Sequence, residues 1–239
     1  MPVYADALVP IPPSWVALHA SEIDEFSHAG TWLTGEERLA TVEGARDARS
    51  RAGLQLAVPR AGIAPEELLP DDSLGLIARL AVAPGALTRA DYAAARAAGM
   101  SDGEYVETVS IVSRVVNIDV FARGVGSLPP RLAAAAGGEP ASDSPRAAPE
   151  GAWLPTVPAG SAGGADAVRA YGGPSPQPFI YRALSLVPVE SRRCIMGGDA
   201  QYLPLDRFMD FTYSHHEGLT RVQVEMIAAR VSVLNDCFY

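Results

Sequence analysis

The chain reads as all-α, a helical bundle of two related units joined by a long linker, and three observations carry that reading. Capping boxes open several segments: Thr34-x-x-Glu37, Ser101-x-x-Glu104 and Thr220-x-x-Gln223 set a hydroxyl three residues before a carboxylate or amide, the pair that satisfies a helix's first free amides. No stretch shows a convincing strand pattern, whereas apolar residues recur at helical spacing. Finally, Ser101 to Phe121 is echoed at Leu219 to Tyr239. A shift of 118 positions lays Val106-Glu107 on Val224-Glu225, Val109 on Ile227, Val116 on Leu234 and Asn117 on Asn235. A shared Val-Glu entry and Asn exit point to a duplicated unit.

Taken in order, Met1 to Trp15 is rich in proline and predicts an extended lead-in, followed by a short helix over Ser21 to His28. The box at Thr34 predicts a helix to about Gly53, and a further helix is expected from about Asp72 to Ala81. Thr88 to Gly99 is a capped segment closed by glycine. The box at Ser101 opens the first copy of the repeated helix, whose Val106, Val109, Ile111, Val112, Val115 and Val116 go nearly all the way round, as in a helix buried inside a bundle or between subunits. Gly124 to Gln177, dominated by Gly, Pro, Ala and Ser, reads as a linker with one apolar island at Trp153 to Val157. Helical signals return over Ile180 to Leu186, Ser191 to Met196 and Leu205 to Tyr213. The last helix, capped at Thr220, aligns Val224, Ile227, Ala228, Val231 and Leu234 on one face. The expected units are therefore 1–123 and 178–239, with 124–177 between them.

Composition excludes several classes of function. A hydrophobic content of 48% with 20% charged residues is that of a soluble globular protein, and a formal charge of −9 opposes binding to nucleic acid or an anionic membrane. All the positive side chains besides histidine are arginines. No basic residue precedes Arg38, so no secretory or transit signal is expected, and Glu225 and Arg230 interrupt the best candidate for a membrane span. Two cysteines, Cys194 and Cys237, make no disulfide framework, and the expected compartment is the cytoplasm.

Common catalytic signatures are missing. The sequence has no Gly-x-Ser-x-Gly elbow and no phosphate loop, and Gly124-Val125-Gly126 lacks the third glycine of a dinucleotide fingerprint. His215 and His216, adjacent on a helix, point about 100° apart and cannot share one metal as an i, i+4 pair does, so a solvated helix end is expected there. His19 and His28 read as structural. Cys194 follows Arg192 and Arg193, cations that favour a thiolate, but it has no sequence partner.

Glu225, Asn235, Asp236 and Cys237 resemble the final-helix motif of the carboxymuconolactone decarboxylase superfamily, in its alkylhydroperoxidase-D-like branch. Trp32 to Arg38, Gly99 to Phe121, Ala183 to Pro188 and Leu219 to Tyr239 are similar to that family's two-unit members. The resemblance implies an all-α oligomer that reduces organic hydroperoxides as an antioxidant, with a dithiol protein or small thiol as reductant and no metal, haem or flavin. It implies Cys237 as the resolving thiol and Glu225 as the proton-relay carboxylate. The family's motif is Cys-x-x-Cys followed by His, and its second, peroxide-attacking cysteine would fall just after Tyr239. An in-frame selenocysteine codon read as a stop is one explanation, drawn from family members that carry selenocysteine; a fragment, a frameshift and a decayed paralogue are the others. The resemblance implies a peroxidase in the full-length form, the chain as given being inert or nearly so.

The first unit has Asp119 where the second has Cys237, so it is expected to be degenerate. Glu225 and Cys237 are twelve residues apart, about 18 Å and 120° on a straight helix, so the family role requires a break near Asn235-Asp236 or a carboxylate from elsewhere. The alternatives are a lactone decarboxylase, which needs no cysteine pair, and a non-catalytic binding or assembly protein.

Overall fold

The computed structural model describes residues 3–55, 58, 62–173, 177–235 and 237, and among them it is all-helical. Helix α1 spans Pro13–Glu25, α2 Gly35–Arg51, α3 Pro65–Leu68, α4 Asp71–Val82, α5 Arg89–Ala97 and α6 Asp102–Gly124. Beyond a long irregular stretch come α7 (Gly164–Tyr171), α8 (Phe179–Arg182), α9 (Pro188–Gln201) and α10 (Arg221–Leu234). One isolated bridge, Ala148 to Thr156, is the β-type pairing seen among the described residues.

The capping boxes start helices where the sequence placed them. Thr34 accepts from the Glu37 amide at 3.2 Å while Glu37 accepts from the Thr34 amide at 2.8 Å, and Ser101/Glu104 and Thr220/Gln223 repeat the exchange. The first helix differs from the expectation: α1 begins at Pro13 rather than Ser21, because proline at a first helical position lacks only an amide that would be unpaired anyway. Leu205 to Tyr213, expected as helix, forms a single 3-10 turn at Leu205–Arg207 followed by turns.

Helix α6 is the axis. It packs with α2 and α4 on one side and with α1 and α9 on the other. Phe26, Leu39, Val42, Ile77, Ile111, Val115 and Ile118 form the main core between these helices. Burying each such side chain stabilises the fold by about 1.5–3 kcal/mol.

The stretch 124–177 is more than the linker expected. Helix α7 lies on α9, and Val157, Ala167, Ala170, Tyr171 and Ile195 make a second small core. The apolar island does dock: Val157 is buried, its amide donates to Ser185 Oγ at 2.9 Å, and its carbonyl accepts from the Tyr171 hydroxyl at 2.5 Å. Gly172, at φ +78°, ends α7 in the left-handed region that favours glycine.

The two helices whose sequences were matched, α6 and α10, have different surroundings. Helix α6 is buried along most of its length, while on α10 only Arg221 and Val224 are buried. Ile227, Val231 and Leu234, the face expected to be core, are each more than half exposed. Arg221 tethers α10 by donating to the carbonyls of Phe208 (3.1 Å), Arg207 (3.4 Å) and Asp210 (3.4 Å). Among the described residues no helix is long and apolar enough to cross a membrane.

Candidate active site

Three helices bring polar side chains to one place. On α6 the residues Glu107, Ser110, Arg114 and Asn117 follow one another at steps of three, four and three, so they share one face. On α9 Glu190, Cys194 and Gln201 share another, and α1 adds His19 and Glu22. All but Asn117, Cys194 and Gln201 are buried, so their charges must find partners within the bundle.

They do so as a chain of alternating charge. Glu107 pairs with Arg38 from α2 and accepts from the amides of Trp32 at 2.8 Å and Thr31 at 3.1 Å. Arg38 reaches on to Glu190 Oε1 at 3.1 Å, and Arg114 joins Glu190 to Glu22. Gly30 sits where this pair leaves no room: a β-carbon there would collide with the Glu107 carboxylate and the Arg38 guanidinium. Burial pushes the Glu190 carboxyl up, but Arg114, Arg38 and the Ser110 hydroxyl together outweigh it and hold Glu190 below its usual range.

Cys194 completes the cluster. Ser110 donates its proton to Glu190 Oε2 at 2.7 Å and accepts from Arg114 Nε at 3.3 Å. The Cys194 thiol lies 3.7 Å from Ser110 Oγ, and either atom of that pair can donate. Burial raises the Cys194 pKa, with Arg114 and Ser110 opposing it only in part. The neighbouring cations Arg192 and Arg193 therefore do not make this a thiolate, as their place in the sequence suggested; Arg193 is turned to Glu25 at 2.8 Å.

Cys194 and Tyr202 form a wall between two cavities. On one side lies a cavity of about 350 Å³ whose lining includes His19, Glu22, Arg114, Asn117, Arg193 and Gln201. On the other lies a mainly apolar cavity of about 780 Å³, lined by Ile180, Tyr181, Leu184, Ile195, Phe208 and Ala228 and also by Cys237. The two cysteines, 43 positions apart in the chain, thus border the same space.

The residues singled out in the sequence are placed as follows. Helix α10 ends at Leu234 with Asn235 as its cap, so Glu225 and Cys237 do not lie on one straight helix. Cys237 is exposed, its amide donates to the Ser232 carbonyl at 2.9 Å, and it lies past the end of α10 rather than at the start of another described helix. Asp236 lies outside the described residues. Glu225 accepts from the Tyr202 hydroxyl at 2.7 Å and from Arg221 Nε at 2.5 Å. The Tyr202 hydrogen bond, and then Arg221, hold the Glu225 carboxyl below its usual range against a smaller effect of burial. Burial and Glu225 push the Tyr202 hydroxyl up to about 12, so it stays a proton donor. Tyr202 is thereby the link between Glu225 and the cavity that Cys237 borders.

His19 is structural, as read. Gln201 donates to its Nε2 at 2.7 Å, which leaves the proton on Nδ1, shared with the Tyr4 hydroxyl at 2.5 Å. His215 and His216 lie outside any helix. His215 Nε2 is 2.9 Å from the Ala200 carbonyl and His216 packs edge-on against Trp15 at 5.8 Å. No cluster of metal-ligating side chains occurs among the described residues.

The sequence reading missed Ser110, Arg114, Glu190 and Tyr202. The first two were visible as a polar stripe at helical spacing within an otherwise apolar segment. Comparison of the chain with protein-family models, with curated proteins and with solved structures gives no match.

Proposed function

We propose that the protein is a thiol-dependent hydroperoxide reductase of the alkylhydroperoxidase-D-like kind. The observation that carries this reading is that both cysteines border one apolar cavity, with the Tyr202–Glu225–Arg221 hydrogen-bonded series at its wall. An apolar space of that size takes the organic part of an alkyl or aryl hydroperoxide. Cys237 is the resolving thiol, and Glu225 moves protons through Tyr202. The exposed position of Cys237 suits reduction by a dithiol protein or small thiol, and no cofactor takes part. The uncovered apolar residues of α10 suit self-association into a homo-oligomer.

The test is consumption of cumene hydroperoxide by the purified chain with dithiothreitol as reductant. Turnover above the uncatalysed thiol reaction, lost when both cysteines are replaced by serine, is the expected outcome. A rate equal to that of dithiothreitol alone would exclude the reading, and retained self-association without turnover would favour a non-catalytic assembly protein.

A further inference from the structure

Building on the peroxidase reading above, we infer that Cys194 is the thiol that attacks the hydroperoxide and that Cys237 resolves it, so that this chain holds a complete two-cysteine pair outside any Cys-x-x-Cys motif. A peroxide-attacking sulfur needs three things: a route for its proton, positive charge that favours the thiolate, and space for the substrate. Cys194 has them on its two sides. Its thiol lies 3.7 Å from Ser110 Oγ, beside the cavity that His19, Asn117 and Gln201 line, so its proton can leave to solvent there. Arg114 supplies positive charge beside the same hydroxyl. The apolar cavity opens on the other side, and Cys237 borders it.

The chemistry balances within the chain and its substrates. The Cys194 thiolate attacks the terminal oxygen of the hydroperoxide; an S–O bond forms, the O–O bond breaks, and the alkoxide leaves with the electron pair. The alkoxide takes up from solvent a proton equivalent to the one the thiol released, and becomes the alcohol. Cys194 is then a sulfenic acid, its sulfur oxidised by two electrons. Cys237, as thiolate, attacks that sulfur; the S–S bond forms, and the departing hydroxide takes the Cys237 proton and leaves as water. The sum is one hydroperoxide and two thiols giving one alcohol, one water and one disulfide, which an external dithiol reduces by exchange. Because burial keeps Cys194 protonated, its oxidation accelerates as pH rises above neutrality.

Cys237 follows the end of α10 and Cys194 lies on α9, so closing the disulfide draws that end of α10 toward α9. A disulfide requires its α-carbons to approach to about 4.4–6.8 Å, a movement that α10, held by few packing neighbours, permits.

The experiment is one equivalent of cumene hydroperoxide added to the reduced full chain, followed by peptide mapping, and repeated on C194S and C237S with dimedone present. The expected results are a Cys194–Cys237 disulfide in the wild type, a dimedone adduct on Cys194 in C237S, and loss of hydroperoxide consumption in C194S. Undiminished consumption by folded C194S, with the adduct on Cys237, overturns the assignment and leaves the peroxidase reading standing. Oxidation of neither cysteine, with no consumption, overturns both. Should C194S fail to fold, C237S decides alone: an adduct absent from Cys194 while hydroperoxide is consumed overturns the assignment.

Discussion

Arg46 and Asp119 form a two-point ion pair, Nε to Oδ2 and Nη2 to Oδ1, each at 2.8 Å, and both side chains are buried. Asp119 is the α6 residue that corresponds by position to Cys237. Where Cys237 presents a thiol to a cavity, Asp119 presents a carboxylate locked to α2, and Arg46 also donates to the Pro130 carbonyl at 3.0 Å. The same contrast holds for the paired glutamates. Glu107 is wholly buried and bound by Arg38 and two backbone amides, whereas Glu225 is partly exposed and bound by a tyrosine at a cavity wall. Helix α6 therefore serves as a structural tie at these positions, whereas α10 lies against a candidate reaction site.

Replacing Asp119 by alanine leaves the Arg46 guanidinium buried without its partner. Removing one member of a buried pair typically costs about 3–5 kcal/mol, so Asp119→Ala should lower unfolding stability by that order in denaturant titration. The double replacement Arg46→Met/Asp119→Leu should recover much of the loss, since two apolar groups leave no unpaired charge. A loss within about 0.5 kcal/mol for the single variant would show that solvent reaches the pair.

Stability should also fall on mild acidification through His19. Burial depresses its pKa, so the unfolded chain binds the proton more readily than the folded one. The contribution of neutral His19 is complete above the ordinary histidine value of about 6.5 and is lost as pH falls toward the lower folded value. Unfolding midpoints measured from pH 7.5 to 5 should decline, and His19→Gln should flatten that decline while lowering the midpoint at pH 7.5. An equal slope in both proteins would place the titrating group elsewhere.

The helices were legible because their signals are local: a capping box acts over four residues and an apolar stripe over one helical turn or two. The two-cavity site was not, because it depends on which helices meet. Cys194 looked like a thiol beside Arg192 and Arg193, yet the cation that matters is Arg114, eighty positions earlier on α6. Likewise Glu225 was visible as a repeat of Glu107, but Tyr202, which joins it to the cavity, carries no motif. Helix α7 was hidden by its small residues. Gly163, Gly164, Ala165, Ala167 and Ala170 read as linker, and only packing against Ile195 and Tyr171 makes Ala167 and Ala170 core.

The apolar residues left bare on α10 lead to a prediction about association. Ile227 is 55% exposed and Val231 52%, so charging them removes little packing from the single chain. Ile227→Asp/Val231→Asp should leave unfolding stability within about 0.5 kcal/mol per site and convert any self-associated form to monomer in light scattering. An unchanged mass would mean that this face is not the interface.

The relay at Tyr202 and Glu225 gives the sharpest separation of chemistry from structure. Tyr202 keeps its proton because burial and the adjacent carboxylate push its hydroxyl up to about 12, and Glu225 stays ionised because Tyr202 and Arg221 donate to it. Tyr202→Phe deletes the donor but keeps the ring in both cavity walls, and Glu225→Gln keeps the shape but cannot take up a proton. If protons move through this pair, each variant should lose roughly 100-fold in kcat/KM for cumene hydroperoxide, at the lower end of what proton transfer by a positioned side chain contributes. Their unfolding midpoints should stay near that of the wild type, because Glu225 is 40% exposed and water replaces its partner. The double variant should be no slower than either single one, since both substitutions interrupt the same path. Two independent losses that multiply would mean that Tyr202 acts on the substrate directly and Glu225 by another route.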